Sequence, residues 1–196
     1  MKRNWQGVIL VGGASRRMGQ PKAAMARGSS TQGESLALLL QQALGMPAWL
    51  SGAGEAGVDL RRVDDREKGA GPLSALLGLF DAHPLGNFLV LASDLFVMNE
   101  AALNWLLAQG EQMDTAALWP LLPGRHFGEP LAALYKASAA PFLAESWTRG
   151  NRAMKHALPA KAISSPPVPS ELVTAFQGAN TLEQLQEIRL SCNLED

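Results

Sequence analysis

The segment Gln6–Val11 reads QGVILV and stops at Gly12-Gly13. Its apolar residues are consecutive rather than alternating, so a strand here has no polar face and must be covered on both sides. A strand of that kind belongs to a parallel sheet between two helical layers, and the Gly-Gly marks a sharp exit into a loop. The alternation continues downstream. Ser35–Leu44, nearly all Leu, Ala and Gln, predicts a helix ended by Gly45 and Pro47. Ala48–Ser51 and Arg61–Val63 predict short strands, and Pro72 sits where the first turn of a helix through Phe80 tolerates it. Asn87–Ala92 is a strong strand closed by Ser93-Asp94, and Asn99 or Glu100 starts a helix to about Gln109.

Beyond it, Thr115–Leu118 and Leu131–Tyr135 predict strands, Pro141–Trp147 and Asn151–Leu158 helices, and Ser164–Ser170 (SSPPVPS) a surface connector. Thr181 and Gln184 form a capping-box pattern that starts the last helix. The expected fold is α/β: a Rossmann-like three-layer sandwich with a mostly parallel sheet, in a single domain over residues 1–196.

Composition narrows the function classes. The 196 residues are 47% hydrophobic and 18% charged, with a net charge of −1. Such a chain buries a sizeable core and lacks the basic excess that phosphate-backbone binding needs, so no nucleic-acid partner is expected. The apolar runs fall short of the roughly 18 residues of a membrane span, and no membrane partner is expected. The short run after Lys2 and Arg3 is not a leader peptide, so a cytoplasmic location is expected. Cys192 is the lone cysteine, and His83, His126 and His156 are far apart; neither suggests a zinc site. The five tryptophans are scattered and read as packing residues.

The loop Gly12-Gly13-Ala14-Ser15-Arg16-Arg17-Met18-Gly19-Gln20-Pro21-Lys22 carries the chemistry. It is neither a Walker A loop nor GxGxxG. Its glycines still allow close backbone approach, and successive N–H groups can form an anion nest. Arg16 or Arg17 adds a bidentate phosphate donor and Lys22 a point charge. Asp94, at the end of a strong strand, suits Mg²⁺, which takes one or two carboxylates, phosphate oxygens and waters. Ligands of parallel sheets bind beyond the carboxyl ends of the strands, where both segments lie. Arg61, Arg62, Arg66 and Lys68, interleaved with Asp64, Asp65 and Glu67, read as a solvated loop or a mobile cover over phosphates.

Val11-Gly12-Gly13 through Lys22 resembles the LAGGxSxRMGxxK signature of the nucleotidyltransferase family that includes molybdenum cofactor guanylyltransferase. Asp64 with Gly71-Pro72-Leu73, Ser93-Asp94, Glu129-Pro130-Leu131 and the closing FQGANTLEQL are similar to further family segments, in order across about Val8–Leu185. The resemblance implies that Leu10, Gly12 and Gly13 hold the base and ribose end of a nucleotide. It implies Arg17 and Lys22 on the phosphates, Asp64 on the nucleotide, Gly71 in the wall of the base pocket and Asp94 on Mg²⁺. Arg152 and Asn180 would lie near the second substrate. The implied catalytic set is Arg17, Lys22 and Asp94.

The implied reaction transfers GMP from Mg·GTP to the terminal phosphate of the molybdopterin cofactor and releases pyrophosphate. Partner proteins that deliver the cofactor, or accept it in the molybdoenzyme pathway, are compatible with it. Ser51-Gly52-Ala53-Gly54 stands where the guanylyl enzymes carry Asn, and Gly178 where an Asn would precede Asn180. These departures leave another NTP open, as in a cytidylyltransferase for the same cofactor or a sugar-phosphate nucleotidyltransferase. An inactive nucleotide-binding adaptor of the same fold also stays open.

Overall fold

The computed structural model describes residues 5–12 and 21–191. The strands are β1 (Gln6–Leu10), β4 (Trp49–Ser51), β5 (Arg62–Val63), β6 (Phe88–Ala92), β7 (Ala117–Leu118), β8 (Ala132–Tyr135) and β9 (Ile163–Ser164), in one seven-stranded sheet ordered β5-β4-β1-β6-β8-β7-β9. β5–β4, β4–β1, β1–β6 and β7–β9 pair parallel, whereas β8 runs antiparallel to both neighbours. A separate hairpin joins β2 (Ala26–Arg27) and β3 (Ser30–Thr31). The expected three-layer sandwich with a mostly parallel sheet is observed.

The continuous apolar strands are continuous because each face of the sheet buries its own core. Ile9, Leu89, Leu91 and Leu134 point into one cluster with helices α1 (Gln32–Leu44) and α3 (Glu100–Gln112). Val8, Val90, Phe88 and Tyr135 point into the other, with α2 (Pro72–Ala82) and α4 (Ala140–Thr148). Successive side chains alternate between faces, so a strand sandwiched between two helical layers has no polar position left.

Local chemistry shifts several boundaries. The first helix begins at Gln32, not Ser35. Thr31 and Glu34 form a full capping box: Glu34 N–H donates to Thr31 Oγ1 (3.1 Å), and Thr31 N–H donates to the Glu34 carboxylate (2.7 Å). Asn151–Leu158 is not a helix. The Asn151 amide donates to Ser146 Oγ (3.0 Å) and to the His156 carbonyl (3.1 Å), and its oxygen accepts from Ala153 N–H (3.0 Å). These bonds offer the backbone an alternative to the helical ladder, and only a 3-10 turn at Met154–His156 survives.

The Pro-rich connector is docked rather than loose. Ile163–Ser164 pairs with β7, Leu121 N–H donates to the Pro166 carbonyl (2.9 Å), and Val168 N–H donates to the Leu121 carbonyl (3.0 Å). A 3-10 segment, Ser170–Phe176, then buries Phe176 edge-on against Trp105, 5.6 Å between ring centres. The last helix, α5 (Leu182–Ser191), begins at the expected cap, with Gln184 N–H on Thr181 Oγ1 (3.2 Å).

Gly78, inside α2, illustrates how tightly the layers meet. A methyl group there would lie 2.0 Å from the Asp64 carbonyl oxygen. Alanine gains about 1 kcal/mol in helix propensity over glycine, but a backbone oxygen at that distance has to move. The Gly78→Ala variant is expected to be destabilised by about 1–3 kcal/mol net, read as a lower midpoint in urea unfolding.

Candidate active site

β1 lies between β4 and β6 in the sheet: the chain leaves β1 for β4 and β5 on one side, and the connection through α2 then crosses to β6 on the other. This is the topological switch point at which open α/β sheets hold their ligands. A crevice opens there, walled by Leu10, Val11 and Gly12 after β1, Ser51, Gly52 and Ala53 after β4, and Ala92, Ser93 and Asp94 after β6. The rim is sewn together by the backbone: Val11 N–H donates to Ser51 O (2.8 Å), Gly54 N–H to Val11 O (3.2 Å) and Ser93 N–H to Leu10 O (3.1 Å). Gly71, Pro72 and Ala75, at the start of α2, form another wall.

The turn after β4 must be glycine. Gly52 has φ +106°, and a side chain there would meet the Val11 carbonyl oxygen at 1.9 Å. Position 52 therefore offers no side-chain amide to a ligand. Arg62 clamps this turn from outside, donating to the carbonyls of Gly52 and of Gly54 (2.9 Å). Within the interleaved charged segment, Arg66 pairs with Asp81, whose carboxyl it holds below the usual carboxylate range. Two of those cations thus serve the framework.

Three residues far apart in sequence converge on the crevice. The Lys22 ammonium lies 3.3 Å from Asp94 Oδ2 and donates to Asn180 Oδ1 at 2.8 Å. Asn180 is held by its own N–H, which donates to Gln184 Oε1 (2.8 Å). Ala179 N–H donates to the Asp94 carbonyl (3.0 Å), so the segment before α5 straps the Asp94 loop. From below, the buried Gln32 amide donates to the Leu95 carbonyl (3.0 Å), and Arg27 donates to Gln32 Oε1 (3.3 Å) and to the Met98 carbonyl (3.1 Å). Asp94 thus stands on a loop braced from two sides.

The residues present fit a divalent ion. The Asp94 side chain is 26% exposed, and a methyl group at position 178 would lie 3.0–3.1 Å from its three carboxyl atoms. Glycine at 178 keeps that flank free of side chains. Among the described residues no group of three or more His, Cys, Asp or Glu is arranged around an ion. The donor set is thus one carboxylate open to solvent and to ligand oxygens, a set that suits Mg²⁺.

Of the residues singled out in the sequence, Leu10, Gly12, Lys22, Gly71 and Asp94 line the crevice, and Asn180 joins them through Lys22. Gly13 and Arg17 lie outside the described residues. Asp64 is exposed and lines a shallow groove with Arg61 and His83; its neighbour Asp65 borders that groove and also lines the crevice. Arg152 is not in the crevice wall: its guanidinium stacks 3.5 Å from the Trp147 ring centre and donates to the Trp147 carbonyl (2.7 Å).

Two carboxylates that the sequence left without a role in the site also reach the crevice region. Asp65 Oδ2 accepts from Gly69 N–H (3.1 Å), while its Oδ1 is buried and has no partner among the described residues. Ser74 fixes the loop, accepting Glu67 N–H (2.7 Å) and donating to Glu67 O (2.9 Å). The adjacent acids Asp64 and Asp65 have the same composition signal, and only the turn decides which faces inward. Glu129 is the other. β8 runs antiparallel to β6, and Ala92 N–H donates to Leu131 O (2.7 Å), which brings Glu129 toward Asp94. Burial pushes the Glu129 carboxyl up; the Leu131 N–H (3.3 Å) opposes this, and the charge of Asp94 adds to it.

Comparisons with known proteins place the family and the fold. The family model of the MobA-like NTP transferase domain matches residues 7–162. The chain belongs to that family. A protein of Pelotomaculum thermopropionicum named "Probable molybdenum cofactor guanylyltransferase" is 34% identical over 145 residues, covering 71% of this chain and 67% of its own length. A molybdenum cofactor guanylyltransferase of Xanthomonas euvesicatoria is 27% identical over 94% of each chain. The crystal structure of molybdopterin-guanine dinucleotide biosynthesis protein A from Archaeoglobus fulgidus superposes with a TM-score of 0.76 at 22% identity, covering 97% of this chain and all of the other. This family member is an enzyme, a nucleotidyltransferase related to the molybdenum cofactor guanylyltransferases. No helix of the described residues is long and apolar enough to cross a membrane.

Glu129 yields a pH prediction. Its raised pKa means that the folded protein holds this proton more tightly than the unfolded chain does. The resulting stability is full below the ordinary carboxylate range and is lost as pH rises through the raised value. Glu129→Gln should therefore be more stable than the parent at neutral pH. The gap should close on acidification, as measured by urea midpoints from pH 4 to 8.

Proposed function

We propose that the chain transfers GMP from Mg·GTP to the terminal phosphate of a molybdopterin-type cofactor. An oxygen of the acceptor phosphate forms the new bond to the α-phosphorus as the bond to the leaving pyrophosphate breaks. The acceptor oxygen is already ionised, so no general base is needed, and charge neutralisation and alignment supply the catalysis. The observation that carries this reading is the meeting of Lys22, Asp94 and Asn180 at the switch-point crevice.

In this reading Asp94 holds Mg²⁺, which when bound neutralises charge on the phosphates. Lys22 supplies a mobile positive charge to them, and Asn180 stands on the acceptor side. Arg17 joins Lys22 on the phosphates. Leu10, Gly12 and Gly13 border the ribose and base, and Gly71 leaves room beside the base. Asp65, rather than Asp64, is the residue assigned to the base. Asp65 lines the crevice wall, where a carboxylate is an acceptor for the donors of a base. Guanine presents two adjacent donors, N1–H and the 2-amino group, whereas the pairing edge of cytosine offers one. This supports GTP over CTP despite the missing amide at Gly52. Arg152, engaged on Trp147, has no assigned role.

Pyrophosphate release should be seen with GTP and molybdopterin together and not with CTP, ATP or UTP. Asp94→Ala should lower it by about 10²–10³-fold, the scale of losing a principal electrostatic contact. GTP with Mg²⁺ should raise the melting temperature, in line with ligand linkage. A response to CTP but not GTP would transfer the assignment to a cytidylyltransferase. Nucleotide binding without turnover would mark an inactive adaptor.

A further inference from the structure

We propose that Lys22 stands in for the metal ion while the site is empty, and that Asn180 is the positioning residue that keeps it there. The proposal rests on the reading of Asp94 as the metal-holding carboxylate.

The Lys22 ammonium is bound twice, to Asp94 Oδ2 at 3.3 Å and to Asn180 Oδ1 at 2.8 Å, and its side chain is only 13% exposed. A lysine stem is flexible and does not hold such a position unaided. Its partners are the rigid component. Asn180 is anchored by its N–H on Gln184 Oε1 (2.8 Å), and the preceding Ala179 N–H is bound to the Asp94 carbonyl (3.0 Å). One strap thus sets the distance between the carboxylate and the amide oxygen that together cradle the ammonium.

A cation that reaches Asp94 competes with this ammonium for the same carboxylate. In the empty crevice the Lys22–Asp94 pair is neutral, so a free divalent ion gains little there. A nucleotide triphosphate changes the balance, because its oxygens offer Lys22 another set of anionic partners. Lys22 then leaves Asp94, and the carboxylate becomes available to the ion that accompanies the phosphates. Nucleotide and metal therefore enter as a coupled pair, and the metal alone binds weakly. Each ligand raises the affinity for the other by the same factor.

The test is Mn²⁺ binding to the full chain without nucleotide, followed by electron paramagnetic resonance of the free ion. Wild type should bind weakly. Lys22→Met removes the competitor, and Asn180→Ala keeps its charge but releases it from its post. Each should bind Mn²⁺ tighter by up to roughly fivefold, the worth of a partly exposed ion pair, and Asp94→Asn should lose binding. A general charge effect would raise affinity in Lys22→Met alone, and that result would overturn the positioning role of Asn180. No gain in either variant, with binding still lost in Asp94→Asn, would overturn the exchange and leave Asp94 as the metal residue. Equal binding by Asp94→Asn and wild type would overturn the metal reading itself.

Discussion

The double pairing of β1, with β4 along one edge and β6 along the other, is the constraint on which the rim of the crevice depends. Both pairings are parallel, so the carboxyl ends of three strands arrive at one level. The peptide groups just beyond those ends bond one another, Val11 to Ser51 and Ser93 to Leu10, and hold Gly12, Gly52 and Asp94 at fixed separations. Helices on each face make the arrangement stiff, because Val8 and Leu10 of β1 enter one cluster and Ile9 the other.

Charge is handled within that frame by pairing and by bracing. Asp94 faces a lysine from the loop after β1 and a carboxylate, Glu129, from the strand that returns antiparallel beside β6. The opposite signs on its two sides leave a carboxylate that a positive ligand can still gain. The strap at Ala179 and the Gln32–Leu95 contact hold its backbone, so its position does not depend on which charge it meets. A turn without a side chain at Gly52 and the lack of one at Gly178 keep side chains out of the crevice mouth and away from the Asp94 carboxylate.

Much of this was legible in the chain itself. The buried strands Gln6–Val11 and Asn87–Ala92 announce themselves by unbroken apolar runs. The Thr181 cap and the Pro72 helix start follow from local bonding that needs no tertiary context. Asn151–Leu158 differs although its competing bonds are also local: the composition suits a helix, but the Asn151 side chain bonds Ser146, Ala153 and His156 and takes the backbone away from the helical ladder. The resemblance names Asp64, yet Asp65 lines the crevice: adjacent acids differ only in the direction a turn gives them, and the bonds of Ser74 to Glu67 help hold that turn.

The sequence by itself determined the layer architecture, the glycine exit from the first strand and the acid at the end of the sixth, since burial pattern, glycine placement and residue chemistry are local properties. Only the tertiary structure decided that Lys22 meets Asn180 across 158 positions, that Glu129 approaches Asp94 and that Arg152 lies on Trp147. Contacts of that range depend on strand order and on which way β8 runs. Neither leaves a periodic or compositional trace in the residues that make the contact.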